Sequence, residues 1–310
     1  MSIRDALAAG LGFRDLALID AHAHVGRWGS FYMADPSLIQ LVRELDRFNI
    51  ELCCVTSLLA FSVDMTRGND EVLEAIRFAP DRFLGYVSLV PHQPLADCRR
   101  EVQRMLDASD RIIGLKFHPM WNNYPINGDL YQPLWELAAE FCPLVLVHCW
   151  LGGEEPEANN TPDKVAQMAA RYPGVTVIMG HSGGSRAGQL QCAELCRRLP
   201  NLYMDLCGSE FGNLWIERLL EHAPADKVLF ATDIPFLGAG SPAGRVGYAA
   251  IDDAIKRKIL RVNMERILAT CTRWGRDRFR SSTPLTRHGM TSTANQLALQ
   301  MGTHHDNPDQ

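Results

Sequence analysis

Residues 143–149 read PLVLVHC and residues 174–181 read GVTVIMGH. Both stretches are short, rich in β-branched and other apolar residues, and end around a histidine. A strand exposed on one face alternates apolar and polar positions, whereas near-continuous apolar runs fit strands buried on both faces, as in a parallel sheet. Six further runs of similar character follow along the chain: Leu16–His22, Ile50–Leu59, Phe83–Val90, Arg111–His118, Asn201–Cys207 and Lys227–Asp233. The eight runs start 26 to 34 residues apart, the length of one β-loop-α-loop unit.

Helical patterns fill the intervals. In Pro36–Phe48 the apolar residues Leu38, Leu41, Val42 and Leu45 share one face, and Asp35 stands as a candidate cap before Pro36 at the first helical position. Asp70–Phe78, Ala96–Ala108, Leu130–Phe141, Thr161–Arg171, Ala187–Arg198 and Asn213–His222 follow the same pattern, and Ile251–Ala269 reads as one or two helices. Strict alternation of eight such units predicts a (β/α)8 TIM barrel over residues 16–273. A doubly wound sheet is the competitor, but it would carry a Gly-rich phosphate turn after the first strand, and G-x-G-x-x-G is absent. Residues 1–15 read as a short helical lead-in. Residues 281–310 turn to Ser, Thr, Asn, Gln, Asp and His, and are expected to form a weakly ordered tail.

Composition narrows the function. With 31 Lys+Arg against 36 Asp+Glu the formal charge is -5, which argues against a nucleic-acid surface. No run approaches the ~18 apolar residues of a membrane span, and Arg4, Asp5, Arg14 and Asp15 break up any signal-peptide pattern at the N-terminus. The nine cysteines are odd in number and lie mostly in apolar segments, with no C-x-x-C pair, which fits reduced, buried thiols and a cytoplasmic location. The expected partner is a small-molecule substrate, with no nucleic acid and no membrane; a homodimer is compatible with the sequence.

Barrel active sites are built at the C-terminal ends of the strands. The first run ends in DAHAH, where the strand period of two turns His22 and His24 the same way, with Ala21 and Ala23 turned away. The fourth ends in GLKFHP, with Lys116 and His118 on one side. The fifth ends at His148, the sixth at His181 and the eighth at Asp233. Each residue alone has an ordinary explanation, as a local hydrogen-bond partner, a turn cap or an ion-pair lysine. Together, at the ends of five strands, they suit a divalent ion held by imidazoles and a carboxylate. Such an ion would lower the pKa of water toward ~7, and Asp233 could hold the metal and relay the proton.

These residues resemble the amidohydrolase superfamily, in its amidohydrolase-related branch, through LIDAHAHVG, APDRFLGYVSLVP, GLKFHP, LVLVHCW, VIMGHSGG, VLFATDIPF and VNMERIL. The resemblance spans about residues 18 to 270. It implies metal ligands at His22, His24, His148 and Asp233. His181 would bind a second metal or act beside the substrate, and Lys116 would be a carboxylated bridge. It also implies Zn2+, as one ion or two, with Mn2+ or Fe2+ as substitutes. An uncarboxylated Lys116 could instead hold a substrate carboxylate.

Loops after the strands offer specificity residues: Arg27, Trp28, Phe31 and Tyr32; Met120, Trp121, Asn122, Asn123 and Tyr124; Trp150; and Arg186, with His118 facing substrate or packing on Pro119. Ser182, Gly183 and Gly184 could let backbone approach the substrate. The leading expectation is a hydrolase of a small amide, ester or lactone. The alternative is a nonoxidative decarboxylase of an unsaturated or aromatic acid, and the third reading is a barrel that keeps its ligands without catalysis.

Overall fold

The structure, a computed structural model, describes residues 1–29, 32–152, 157–208 and 210–279. Phe31 and the tail expected at 281–310 lie outside the described residues. Eight parallel strands follow one another in chain order around a (β/α)8 TIM barrel: β1 (Leu18–Val25), β2 (Ile50–Ser57), β3 (Phe83–Ser88), β4 (Ile112–Phe117), β5 (Leu144–Trp150), β6 (Thr176–Gly183), β7 (Leu202–Asp205) and β8 (Val228–Leu229). The last strand is far shorter than the apolar run that encodes it. Beyond Leu229 the chain still closes the barrel, through Ala21 N donating to Phe230 O (3.0 Å), Asp233 N to His22 O (3.0 Å) and His24 N to Ile234 O (2.7 Å). Asp233 therefore reaches the mouth on irregular backbone stitched to β1.

The helices are α1 (Ile3–Ala8), α2 (Leu38–Arg47), α3 (Leu58–Ser62), α4 (Met65–Phe78), α5 (Leu95–Ala108), α6 (Gln132–Phe141), α7 (Pro162–Arg171), α8 (Arg186–Arg198), α9 (Trp215–His222), α10 (Gly240–Tyr248), α11 (Asp253–Arg257), α12 (Asn263–Cys271) and α13 (Arg273–Phe279), with a π-turn at Lys258–Val262. The cap of α2 is Ser37, whose hydroxyl accepts Gln40 N at 3.4 Å, and not Asp35; the Asp35 carboxylate accepts Ser37 N instead. The run Ile50–Leu59 splits because Ser57 caps α3, accepting Leu59 N, so Leu58 and Leu59 turn into helix. Helix α10 was not legible in the periodicity: its sequence, GSPAGRVGY, holds three glycines and a proline.

The buried apolar residues form two layers and a small separate cluster of Met33, Leu58 and Phe61. Ile19, Ala21, Leu52, Cys54, Leu84, Tyr86, Ile113, Leu146, Ile178 and Leu229 fill the barrel, which Ile267, Leu268 and Trp274 close from below. The larger layer packs the strands against the helices. All nine cysteines are free, eight of them buried. Among the described residues no helix is long and apolar enough to cross a membrane.

Candidate active site

The alternation of β1 is broken where it matters. Ile19 and Ala21 point into the barrel, whereas Leu18, Ala23 and Val25 join the outer layer. The register against β2 shifts between Asp20 and Ala23, so the strand changes parity there. His22 and His24 then project together at the mouth, as the period of two predicts, but Ala21 faces inward and not away. Asp20 lies on the other side of the shift. Its carboxylate accepts His22 N (3.1 Å), Thr232 N (3.1 Å) and Thr232 Oγ1 (2.5 Å), tying β1 to the segment that carries Asp233.

Each imidazole is held on its far side. His24 Nδ1 meets Thr56 Oγ1 at 2.8 Å, and its Nε2 lies 3.1 Å from Asp233 Oδ1. His22 Nδ1 lies 3.0 Å from Asp205 Oδ2, and its Nε2 lies 2.9 Å from Lys116 Nζ. Asp205 also accepts the backbone N–H groups of His181 (2.8 Å) and Cys207 (3.2 Å). Backing a ligating imidazole with a carboxylate fixes its tautomer and orientation. Asp205 and Cys207, at the end of β7 in MDLC, are the site residues that reading strand ends missed. The signal was present, since Asp205 and Cys207 stand two apart like His22 and His24.

Electrostatics favour neutral imidazoles. Burial pushes His22, His118 and His148 well below the usual histidine range, with neighbouring cations and imidazoles adding to it. Burial also lowers His24, and takes His181 to about 4. Lys116 is lowered to about 8 by burial, which Asp233, Cys207 and Asp205 partly oppose. Burial would raise Asp233, but His181, His24 and Lys116 outweigh it and hold the carboxyl below its usual value. Burial lifts Asp20 and Asp205 to about 7 against their hydrogen bonds. His181, Ser182 and Asp233 all adopt left-handed backbone, with φ of 64°, 49° and 64°. Three non-glycine residues in that region at one site mark strain that the surrounding hydrogen bonds sustain.

Above these groups opens a cavity of about 340 Å³. His24, His148, His181 and Asp233 reach it from the strand ends, and Trp28, Phe61, His118, Met120, Trp121, Trp150 and Phe236 wall it. Phe61, His118, His148 and Trp150 stack in a column, with successive centroids 4.5, 4.1 and 6.2 Å apart and planes within 29°. His118 is thus a sandwiched ring in the cavity wall. Trp28 meets Trp121 edge-on at 4.5 Å. A larger groove, about 840 Å³, lies along α5 and holds none of the strand-end residues.

Two expected substrate groups are elsewhere. Arg27 is exposed on the loop after β1 and does not line the cavity. Arg186 begins α8, is exposed, and lies over the Trp215 ring at 5.4 Å. Tyr32 is exposed, and Asn122 is buried as a structural link between Phe61 O and the Tyr131 hydroxyl. Gly184, with φ of +69°, abuts Trp150, so its lack of a side chain serves packing of the cavity wall and not approach to substrate.

A family model described as Amidohydrolase matches residues 19–269. No curated protein matches the chain. Among solved structures, 2,6-dihydroxybenzoate decarboxylase from Rhizobium is similar at 17% identity and a TM-score of 0.63, covering 81% of this chain and 98% of that one. 5-Carboxyvanillate decarboxylase from Sphingomonas paucimobilis matches at 17% and 0.61, again over 81% and 98%. A dihydroxybenzoic acid decarboxylase from Polaromonas sp. JS666, solved with manganese and 2-nitroresorcinol, matches at 16% and 0.60, over 81% and 96%. At such identity the likeness is one of fold.

Proposed function

The chain belongs to the amidohydrolase family, and on that footing we propose that it is a divalent-metal-dependent hydrolase of a small, ring-bearing amide, ester or lactone. The observation that carries this reading is Asp233. Its Oδ1 is buried and receives no hydrogen bond, although His24 Nε2 comes within 3.1 Å. A buried ionised oxygen without a donor costs several kcal/mol unless a cation faces it. Four neutral imidazoles, His22, His24, His148 and His181, supply lone pairs beside it. The donor set therefore fits a divalent ion, Zn2+ or its Mn2+ or Fe2+ substitutes, held by these residues. When bound, the ion supplies Lewis acidity that brings water toward ionisation at neutral pH and polarises a carbonyl.

The protein's own groups do the rest. Asp233 is placed to accept the proton of the attacking water and deliver it to the leaving group. Asp205 and Thr56 hold His22 and His24 in one orientation. The aromatic walls position a flat substrate and exclude water, and Lys116 Nζ stands 2.9 Å from His22 Nε2. Among the described residues no arginine lines the cavity, which favours a neutral carbonyl substrate over a carboxylic acid.

The second reading, a nonoxidative decarboxylase, draws on the stacked rings, which suit an aromatic acid whose carboxylate meets the ion and Lys116. One experiment separates the two: zinc- and manganese-loaded protein is incubated with aromatic esters, amides and lactones, and in parallel with aromatic acids, while acid release and carbon dioxide are followed. Hydrolysis predicts acid release from the first set, abolished at least 10²-fold in kcat by Asp233→Asn. Carbon dioxide from the second set without acid release from the first overturns the hydrolase reading.

A further inference from the structure

One polar side chain lining the cavity has no task in the metal-dependent reading. Among the described residues around it, His24, His148, His181 and Asp233 belong to the ligand set, and the rest apart from His118 are leucine, methionine, glycine or aromatic. His118 is buried and clamped between two rings, with the Phe61 centroid at 4.5 Å and the His148 centroid at 4.1 Å. Both faces are covered, so only an edge of the imidazole can meet a ligand.

Backbone geometry decides which atom that edge presents. The N–H of Trp121 donates to His118 Nδ1 at 3.3 Å. A nitrogen that accepts from a backbone N–H carries no proton of its own, so the ring is neutral and its proton sits on Nε2. Burial favours the same neutral form. The carbonyl oxygen of His118 accepts Asn122 N at 3.0 Å and needs nothing from the ring. Nε2 has no hydrogen-bond partner among the described residues, yet it is not one of their buried, unpartnered polar atoms, so it opens onto the cavity. The outcome is a fixed, uncharged N–H donor one ring away from His148.

We propose that His118 donates its Nε2–H to the carbonyl oxygen of the substrate, so that the cavity selects uncharged aromatic carbonyl compounds over rings that lack an acceptor. A preorganised neutral donor suits an oxygen that gains negative charge during reaction. This inference deepens the reading of the cavity as a site for a ring-bearing amide, ester or lactone, and rests on it. The competing account makes His118 a spacer in the ring column, a task that phenylalanine performs as well.

Two substitutions separate the accounts, in the full chain with excess Zn2+. His118→Phe keeps a stacking ring and removes the donor, whereas His118→Gln removes the ring and keeps an N–H near the position of Nε2. The probes are acetophenone, which has a carbonyl but no leaving group, and α-methylstyrene, its isostere with a methylene in place of the oxygen. Saturation-transfer NMR titrations give the ratio of the two affinities, acetophenone over α-methylstyrene. That ratio should fall at least about fivefold in His118→Phe, about 1 kcal/mol and the worth of one neutral hydrogen bond. It should stay within about twofold of wild type in His118→Gln. A ratio unchanged in His118→Phe overturns the proposal, since an indole N–H or the ion then reads the oxygen. If neither probe binds the wild-type protein, the reading of the cavity as a ring site fails, and this proposal with it. Should a variant fail to fold, or both lose the preference, 15N NMR of the wild-type imidazoles at pH 7 decides: a protonated Nε2 with a bare Nδ1 at His118 supports the donor, and a protonated Nδ1 refutes it.

Discussion

The most discriminating perturbation of this site is Gly180→Ala. Gly180 lies on β6 opposite His148, under the ring of His22. Its backbone is of the ordinary kind that alanine accepts, so any effect comes from the added methyl. That methyl would stand 2.9 Å from His22 Cε1, 3.1 Å from His22 Nδ1 and 3.0 Å from Val147 O. Carbon atoms rest at about 3.5–4.0 Å, so the imidazole must retreat by about 0.6 Å or more. The retreat disturbs both ends of the ring, Nδ1 at 3.0 Å from Asp205 Oδ2 and Nε2 at 2.9 Å from Lys116 Nζ. Loss of such support around a ligating histidine typically costs 10–100-fold in metal affinity. Overpacking should also cost the metal-free fold about 1–3 kcal/mol, which lowers Tm by roughly 2–4 °C per kcal/mol in a domain of this size. The assay is calorimetric titration of Zn2+ into both proteins, with thermal melts of the metal-free forms. Wild-type affinity in Gly180→Ala, whatever the melting temperature, would refute the placement of His22 as a ligand pinned by its neighbours.

Two further outcomes test the scaffold. Glu51 accepts hydrogen bonds from Arg261 (2.7 Å) and Arg278 (2.5 Å). Burial alone would raise its carboxyl, but the two guanidinium groups outweigh it and hold it below the ordinary 4.5. A folded-state pKa below the unfolded one contributes stability above the unfolded value, and that contribution is lost as pH falls through the folded value. The gap in unfolding free energy between wild type and Glu51→Gln should hold steady above about pH 5, at roughly 1–3 kcal/mol, and shrink below pH 4.5; urea melts that show a gap widening in acid would contradict the pairing. Trp135, fully buried, meets Phe117 edge-on at 5.2 Å and stacks on Tyr172 at 6.0 Å. Trp135→Ala should cost about 3–5 kcal/mol in denaturant unfolding, and a loss under 1 kcal/mol would mean that the wall behind β4 is not packed as described.

Much of this protein is legible in its sequence because the information is local. Burial on both faces writes PLVLVHC and GVTVIMGH as uninterrupted apolar runs, and the strand-helix period writes the barrel. The residues His22, His24, His118, His148, His181 and Asp233 are readable as strand-end chemistry because a barrel gathers those ends at one mouth. What the sequence does not carry is parity and direction. The register shift after Asp20 decides that Ala21 faces inward while His22 and His24 still emerge together. Left-handed backbone at His181 and Asp233 aims two side chains by strain that no residue type announces. Arg27 and Arg186 are specificity candidates by position in the chain, yet both lie outside the cavity, because a loop's sequence does not fix which way its side chains leave the barrel. Asp205 and Cys207 become site residues only when β7 comes to lie beside β6, since their partners His22 and His181 stand 183 and 24 residues away from Asp205. The sequence by itself determined the barrel and the kinds of ligand it gathers; only the tertiary structure decided their mutual aim, because distances between atoms far apart in the chain are set by packing and not by local propensity.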